Sequence, residues 1–522
     1  MFNSSRRLHF PDAVRPMSQP NESAAKPVSD SDLKSKTVRG GTLTVLTQAV
    51  NLVVQVAGTI VVARLLTPRD FGLVAIALTF GTLLANLGTT GFTEAIVQSK
   101  TISQAQLSTL FWINIAASTL MAVLFILAAP LVAAFYREPD VQIICVGVGA
   151  TIFLGCLSSQ HLAMLKRDMK FPAINAVTLS GRCVSVTVTI VTALLGWGYW
   201  SLVFGICVLY TVEGIGSWIV NPWRPGLPSR DAEIRPMIRY TLNQLGYYAC
   251  NYAGRNFDNF LMGWCLGSFA LGSYKKAYDL FALPASQISV PLTTVTLAGL
   301  SRVRDEPEKF RKNYLKAVSL VAMIGMGLSA VMFVAGYDLL LLVLGPKWVE
   351  AGRIFIRFSP GIGLMLVYNT NWWLHLSLGT TNRLFRWGLV ELLVLAVAFL
   401  TGLRYGAFGI AVAWSISFAI ILWPCLAYAG RPIGLRFSSV LKVIWPFAIA
   451  ALVAGTLGWL LLNVFPLTAT PLQHMFRSGR IFFCLSVTSV AYFAVLLLFP
   501  REKTFGPLLE YLRLHLKQKL KD

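Results

Sequence analysis

Charged and amide side chains inside one oily segment raise the first chemical question of this sequence. The segment 240–266 is otherwise small and apolar, yet it carries Asn251, Arg255 and Asp258 near its middle. Their spacing of i, i+4 and i+7 places all three on one face of a helix. A guanidinium at the centre of a membrane helix costs about 2.5–3.5 kcal/mol, and its planar fork matches the oxygens of a phosphate or diphosphate. We therefore expect Arg255 to border a water-filled cavity and to bind such an anion.

Two alternatives for these intramembrane charges remain open. Asp258 follows Arg255 by three residues and could neutralise it within the helix. Arg182 lies in a second apolar segment among Ser and Thr residues, which is consistent either with a helix face in contact with water or with packing between helices. Candidate coupling acids are Asp258, Glu213 and Glu94; Glu391 lies in a similar apolar run, and each of the three glutamates could instead be a structural carboxyl.

A second polar stripe lies on the first apolar segment, where Gln48, Asn51 and Gln55 are spaced i, i+3 and i+7. The stretch LTPRDFGLVAIA (66–77) also matches LGSFALGSYKKA (266–277) at three positions, and Asn51 matches Asn251 at the same offset. An even number of predicted spans separates the two copies, which predicts a parallel repeat of two lobes. We expect both stripes to face one cavity between the lobes, with Arg255 on the anion and the amides on sugars.

The composition predicts an all-α integral membrane protein. Of 522 residues, 55% are hydrophobic and only 13% are charged, whereas soluble domains carry roughly 25% charged residues. Apolar runs long enough to cross a bilayer predict about fourteen transmembrane helices, among them the spans 71–97, 240–266, 277–300 and 351–378. The predicted divisions are a disordered cytoplasmic tail (1–39), a first lobe (40–220), a cytoplasmic linker (221–239), a second lobe (240–430), two further spans (431–500) and an amphipathic cytoplasmic helix (501–522).

The net charge of +22 indicates membrane topology signals and contact with anionic lipids rather than binding to nucleic acid. Basic residues flank the hydrophobic runs and are more frequent in the predicted interior loops, which places both termini in the cytoplasm, close to anionic lipids. The eight cysteines lie in apolar runs without metal-ligand spacing, so we expect no metal and no cofactor. The chain lacks P-loop, HExxH and GxSxG motifs and a sizeable exterior loop, which argues against an enzyme such as a polysaccharide polymerase.

Several stretches together resemble a known family. VVARLLTPRDFGLVAIALTF, NLGTTGFTEAIVQSK, RNFDNFLMGWCLGSFALGSYKKAYDL and LGPKW are similar to lipopolysaccharide and exopolysaccharide export proteins. These form the polysaccharide transporter branch of the multidrug/oligosaccharidyl-lipid/polysaccharide (MOP) superfamily, and the resemblance covers about 40–440. It implies fourteen helices in two six-helix lobes plus two C-terminal helices. It also implies transport of an undecaprenyl-diphosphate-linked oligosaccharide from the cytoplasmic to the periplasmic leaflet of the bacterial inner membrane, and we expect this transport to use alternating access.

The resemblance also implies a cationic central cavity for the diphosphate. In this sequence that role falls on Arg255, with Arg182 as the second candidate. Implied partners are the lipid-linked oligosaccharide, a polysaccharide polymerase and a chain-length regulator. Coupling to a proton or sodium gradient stays open. The main alternative is a multidrug or cation antiporter on the same fold, which would favour acidic residues in its cavity.

Overall fold

The structure of the protein is a computed structural model. It describes residues 30–99, 102–229, 252–464 and 473–500, together with isolated positions between 234 and 249 and at 504 and 506. The residue Asn251 and most of the predicted amphipathic helix 501–522 lie outside this described part. Helix α1 begins at Asp30, so residues 30–39 of the predicted disordered tail are helical.

The described chain is helical and contains no strand, which confirms the predicted all-α class. The helices are α1 (Asp30–Leu65), α2 (Pro68–Gln98), α3 (Gln104–Tyr136), α4 (Asp140–Arg167), α5 (Phe171–Leu194), α6 (Trp200–Val220), α7 (Phe257–Arg302), α8 (Pro307–Leu344), α9 (Val349–Phe358), α10 (Gly361–Asn369), α11 (Asn371–Leu378), α12 (Thr381–Gly402), α13 (Gly406–Gly430), α14 (Phe437–Val464) and α15 (Gln473–Leu497).

Ten segments of the described chain are long and apolar enough to cross a membrane. The predicted total of fourteen stays a prediction, because several segments are broken or merged. The predicted span 351–378 consists of three short helices, α9 to α11. Helix α7 is interrupted at Gly267, whose φ of 81° and ψ of 178° suit only a residue without a Cβ. The break separates the end of the predicted span 240–266 from the next helix.

Local signals explain where the helices near the site begin. Helix α2 starts with a capping box, in which the Thr67 hydroxyl accepts from the Asp70 amide and the Asp70 carboxylate accepts from the Thr67 amide. Pro68 occupies the first turn, where its missing N–H costs no hydrogen bond. These signals place the start of α2 immediately after the end of α1.

We call helices α1–α6 the first lobe and helices α7–α15 the second lobe. Helices α2 and α7 form the main contact between them. The contact is reciprocal: a Cβ on Gly72 would overlap the carbonyl oxygen of Ser268, and a Cβ on Gly272 would overlap the carbonyl oxygen of Pro68. Both pairs obey the offset of 200 found in the sequence. Glycine is required at both positions because the backbones approach closely. We call this contact the glycine crossing.

The lobes are closed at the end where α1, α3 and α8 finish, which we call the closed end. There Trp348 Nε1 donates to the Ala63 carbonyl oxygen at 2.7 Å, and Arg64 Nε donates to the Val343 carbonyl oxygen at 3.0 Å. The Ser268 hydroxyl donates to Glu138 at 2.5 Å. These bonds link the two lobes beside the glycine crossing.

Candidate functional site

A cavity of about 530 Å³ lies between the lobes, and we call it the inter-lobe cavity. Helices α2, α5 and α6 line it from the first lobe, while α7 and the stretch 252–256 line it from the second. The glycine crossing lies directly beside it, because Gly272 and Phe71 are part of its wall. The close approach of the two helices therefore bounds the cavity towards the closed end.

The two lobes contribute equivalent positions with different chemistry. Ala75 and Thr79 of α2 face the cavity, and so do Lys275 and Asp279 of α7, which are their partners at the offset of 200. The wall from the first lobe carries hydroxyls and small apolar groups. The formal charges of the cavity come from the second lobe alone: two lysines, Lys275 and Lys276, and one carboxylate.

Lys275 and Asp279 form an ion pair one helical turn apart. Their side chains retain 37% and 44% exposure, so the pair remains accessible. An accessible pair of this kind contributes little to stability. Its carboxylate can therefore be exchanged for another anion at small cost.

Lys276 differs from its neighbour because it is buried and makes no ion pair at contact distance, although the Asp279 carboxylate lies within electrostatic reach of both lysines. The residue is 8% exposed, and its ammonium lies 3.9 Å from the centroid of the Phe71 ring. No ion pair involves Lys276 within the described part of the chain. A cation–π contact compensates only part of the desolvation of an ammonium. The inter-lobe cavity therefore holds one uncompensated positive charge.

Amide and hydroxyl groups surround these lysines. Asn256, Asn259 and Tyr252 lie in the wall from the second lobe, and Ser185 and Thr189 lie opposite them. The Asn259 amide donates to Asn256 Oδ1 at 3.1 Å, while its own Oδ1 is buried without a hydrogen bond. An uncompensated cation beside unused polar atoms is suited to an anion that carries hydroxyl groups.

Arg255 faces a different and smaller pocket. It is exposed and lines a volume of about 80 Å³ with Glu391, Trp372 and Phe385, between 254–255 and α12. The Arg255 guanidinium interacts electrostatically with the Glu391 carboxylate, which also hydrogen-bonds with Tyr368. The guanidinium thus borders open volume, but none of the residues around this volume lines the inter-lobe cavity.

Asp258 is buried and bonded elsewhere than to Arg255. It is 6% exposed, and its carboxylate accepts hydrogen bonds from the Tyr274 hydroxyl and from the backbone N–H of Asn259, both at 2.8 Å. The described residues show no ion pair between Asp258 and Arg255. The Tyr274 bond crosses the break at Gly267 and ties the two parts of α7 together.

The lining of the inter-lobe cavity does not include Gln48, Asn51, Gln55, Arg182 or Glu213. Gln48 and Gln55 are exposed, and Asn51 is half-buried with its Oδ1 unbonded. Arg182 lies within electrostatic reach of Glu213 inside the first lobe. The Glu94 side chain and the whole of Asn251 fall outside the described part, so their placement stays a prediction.

Sequence reasoning missed Lys275 and Lys276. The predicted span 277–300 begins just after them, so the sequence places both lysines in a loop. The repeat contained a signal that could have found them, because the offset of 200 aligns them with Ala75 and Ile76, inside the predicted span 71–97.

The described residues contain no group of three or more His, Cys, Asp or Glu side chains that could hold a metal ion.

Two helical lobes around a polar cavity define the fold class of this membrane protein, and solved structures share it. The structure superposes on the lipid II flippase MurJ in an inward closed conformation with a TM-score of 0.69 and 13% identity, covering 87% of this chain and 100% of that one. An inward-facing multidrug resistance MATE family transporter of the MOP superfamily gives a TM-score of 0.57 at 15% identity, covering 75% and 96%. These similarities establish the fold of a multi-pass membrane protein.

The chain belongs to the polysaccharide biosynthesis protein family, whose sequence profile matches residues 61–353. The resemblance inferred from the sequence is thereby confirmed. One relative is the lipopolysaccharide biosynthesis protein WzxC of Escherichia coli K12, 24% identical over 322 residues. That match covers 60% of this chain and 65% of the relative, slightly less than two thirds of its length.

Proposed function

We propose that this protein moves lipid-linked oligosaccharide units across the membrane by alternating access, for lipopolysaccharide or exopolysaccharide biosynthesis. The observation that carries the proposal is the buried, unpaired ammonium of Lys276 in the inter-lobe cavity. A diphosphate supplies the missing counter-charge, and the surrounding amides and hydroxyls bind sugar hydroxyls. Family membership and the fold shared with a lipid II flippase support this choice.

In this proposal Lys276 binds the diphosphate first. Lys275 exchanges Asp279 for the same anion, because that ion pair is accessible. The lipid tail stays in the bilayer through a lateral gap between the lobes. Two further roles rest on the sequence alone. Secondary phosphate contacts are proposed for Arg255 and Arg182. Sugar contacts are proposed for Gln48, Asn51, Gln55 and Asn251.

We assign the closed end to the periplasmic side of the bacterial inner membrane, with both termini in the cytoplasm. The basic interior loops favour this orientation. The described conformation then accepts its substrate from the cytoplasmic side. Transport requires the glycine crossing to open, which exposes the cavity to the opposite side. The lipid-linked oligosaccharide is the substrate partner, and a polysaccharide polymerase would act after it.

The energy source of the cycle is a separate proposal. Asp258, Glu213 and Glu94 are the candidate acids for proton or sodium coupling. Asp258 has the strongest support, because its carboxylate is buried and bonded to Tyr274 across the break at Gly267. A change in its charge would alter the contact between the two parts of α7.

A multidrug or cation antiporter is the second candidate, because a MATE transporter shares the fold. The charges of the inter-lobe cavity argue against it. Two lysines and one aspartate repel a cationic drug, whereas a site for such a drug needs an excess of carboxylates. An enzymatic role such as chain polymerisation has no support in the cavity, which offers no pair of free carboxylates for acid–base chemistry.

The test is a strain deleted for this gene and complemented with variants at equal protein level. We expect the deletion to accumulate lipid-linked repeat units on the inner leaflet. We expect Lys276→Gln to reduce export at least tenfold, because a charge-assisted hydrogen bond is worth about 1.5–3 kcal/mol. Lys276→Arg should retain partial transport, since it keeps the charge.

The matched control is Lys309→Gln, a lysine of the second lobe whose side chain is 66% exposed and away from the cavity. Normal export by Lys276→Gln would refute the phosphate role of this lysine. Elongation of lipid-linked chains by the purified protein, or uptake of a cationic dye, would refute the flipping function itself.

A further inference from the structure

A further cavity of about 390 Å³ lies in the first lobe, between α4 and α6. Its wall is apolar and includes Leu154, Leu157, Ile215 and Ile219. Gly214 also lines it, and a Cβ built on Gly214 meets no atom within 4 Å. The missing side chain therefore leaves space for a ligand. We call this cavity the α4–α6 groove.

The groove ends at Arg224, which belongs to the linker between the lobes. Arg224 Nη1 donates to the carbonyl oxygens of Trp218, Asn221 and Trp223 at 3.2, 3.0 and 2.8 Å. These bonds satisfy carbonyls at the C-terminal end of α6, so one function of Arg224 is to cap that helix.

The rest of the guanidinium has no such partner. Neither Nε nor Nη2 of Arg224 makes a hydrogen bond within the described residues, and the residue is exposed. These two nitrogens form an edge that binds two oxygens of a phosphate side by side. The guanidinium also lies 5.4 Å from the centroid of the Trp218 ring, which itself lines the groove.

We propose that the α4–α6 groove binds one anionic glycerophospholipid, with its phosphate on the Nε–Nη2 edge of Arg224 and an acyl chain along the apolar wall. Charge complementarity selects this ligand: Arg224 is the one formally charged residue in the described lining of the groove, and a net positive charge favours an anionic lipid over a zwitterionic one. This inference does not depend on the proposed substrate of the inter-lobe cavity.

A lipid at this position would act on the connection between the lobes. The linker is bonded to α3: the Gln104 amide donates to the Arg224 carbonyl oxygen at 3.0 Å, and Trp112 Nε1 donates to the Gly226 carbonyl oxygen at 2.9 Å. The Gly226 amide donates to the Ser108 hydroxyl at 2.9 Å. A phosphate on Arg224 adds a further contact that holds the linker against the first lobe.

The experiment measures lipids retained by the purified full-length protein, using native mass spectrometry after addition of phosphatidylglycerol or phosphatidylethanolamine. We expect the wild type to retain one phosphatidylglycerol with a several-fold preference. Arg224→Gln should lower its affinity about tenfold, because a bidentate charged contact is lost. Arg224→Lys should keep part of the affinity, and Gly214→Leu should exclude the acyl chain.

Arg404→Gln is the matched control, because Arg404 is an exposed arginine far along the chain from the groove. Unfolding by the variants is monitored by circular dichroism, and Arg224→Lys separates the loss of the fork from the loss of charge. Equal retention of both lipids by the wild type would overturn the proposal. Undiminished binding by both Arg224→Gln and Gly214→Leu would also overturn it, as would displacement of phosphatidylglycerol by a polyprenyl diphosphate at equal concentration.

Discussion

Arg255 illustrates at the scale of one residue what an intramembrane charge needs. The sequence predicts that its guanidinium faces a cavity or Asp258. In the structure the exposed guanidinium borders a small pocket and interacts electrostatically with Glu391 on α12, while Asp258 is hydrogen-bonded to Tyr274. Arg255 and Glu391 should act as a unit in stability measurements.

We predict that Arg255→Ala and Glu391→Ala each destabilise the protein, because each leaves one intramembrane charge without its partner. The double variant should be more stable than the sum of the two single losses, with a coupling energy of about 1 kcal/mol. Thermal unfolding of the four proteins in one detergent measures this cycle. Strict additivity would mean that the two side chains do not interact.

The two lysines show why a candidate site can be only partly predicted from sequence. Hydropathy locates a helix by its apolar run, and the lysines at 275 and 276 shorten that run at its start. Helix α7 nevertheless continues through them, because Lys276 contacts the Phe71 ring and both lysines line the polar cavity. Phe71 is far from the lysines in the sequence, so no local pattern predicts this contact.

The glycine crossing is the corresponding feature at the scale of helices. The matched glycines at 72 and 272 were recognisable from the sequence as a repeat signal, and the structure gives the physical reason for them. Each glycine allows one helix to touch the backbone of the other. Breaks such as Gly267, in contrast, were not predictable in detail, because apolar residues continue on both sides of them.

We predict that Gly72→Ala and Gly272→Ala open the closed end to a similar degree. Each added methyl overlaps a backbone carbonyl, which cannot rotate away, and such overpacking costs about 1–3 kcal/mol. Hydrogen–deuterium exchange should rise in the segments 64–72 and 342–348 for both variants. The double variant should add less than the sum, because both changes separate the same two helices.

Gly299→Ala is the control on the same helix, since a Cβ at Gly299 meets no atom within 4 Å. It should leave the exchange of both segments unchanged. An effect of Gly72→Ala without any effect of Gly272→Ala would show that the crossing is not reciprocal.

The orientation of the whole molecule gives a further prediction. In a background carrying Cys265→Ala, which removes the exposed cysteine near the closed end, we expect Tyr405→Cys to react with an impermeant maleimide in intact cells. Tyr405 is 78% exposed and follows α12, whereas Asp305 precedes α8 in a basic loop. Asp305→Cys should react only after permeabilisation, because basic loops face the cytoplasm. The reverse pattern would invert the topology.

The unequal charge of two otherwise matched cavity walls has a consequence for the transport cycle. In the proposed transport cycle, an anion bound to the two lysines stays with the second lobe while the lobes move against each other. The cavity wall of the first lobe carries no charged residue that could compete for the anion. In this cycle the substrate therefore stays bound to one lobe, and its release requires water to reach the two lysines.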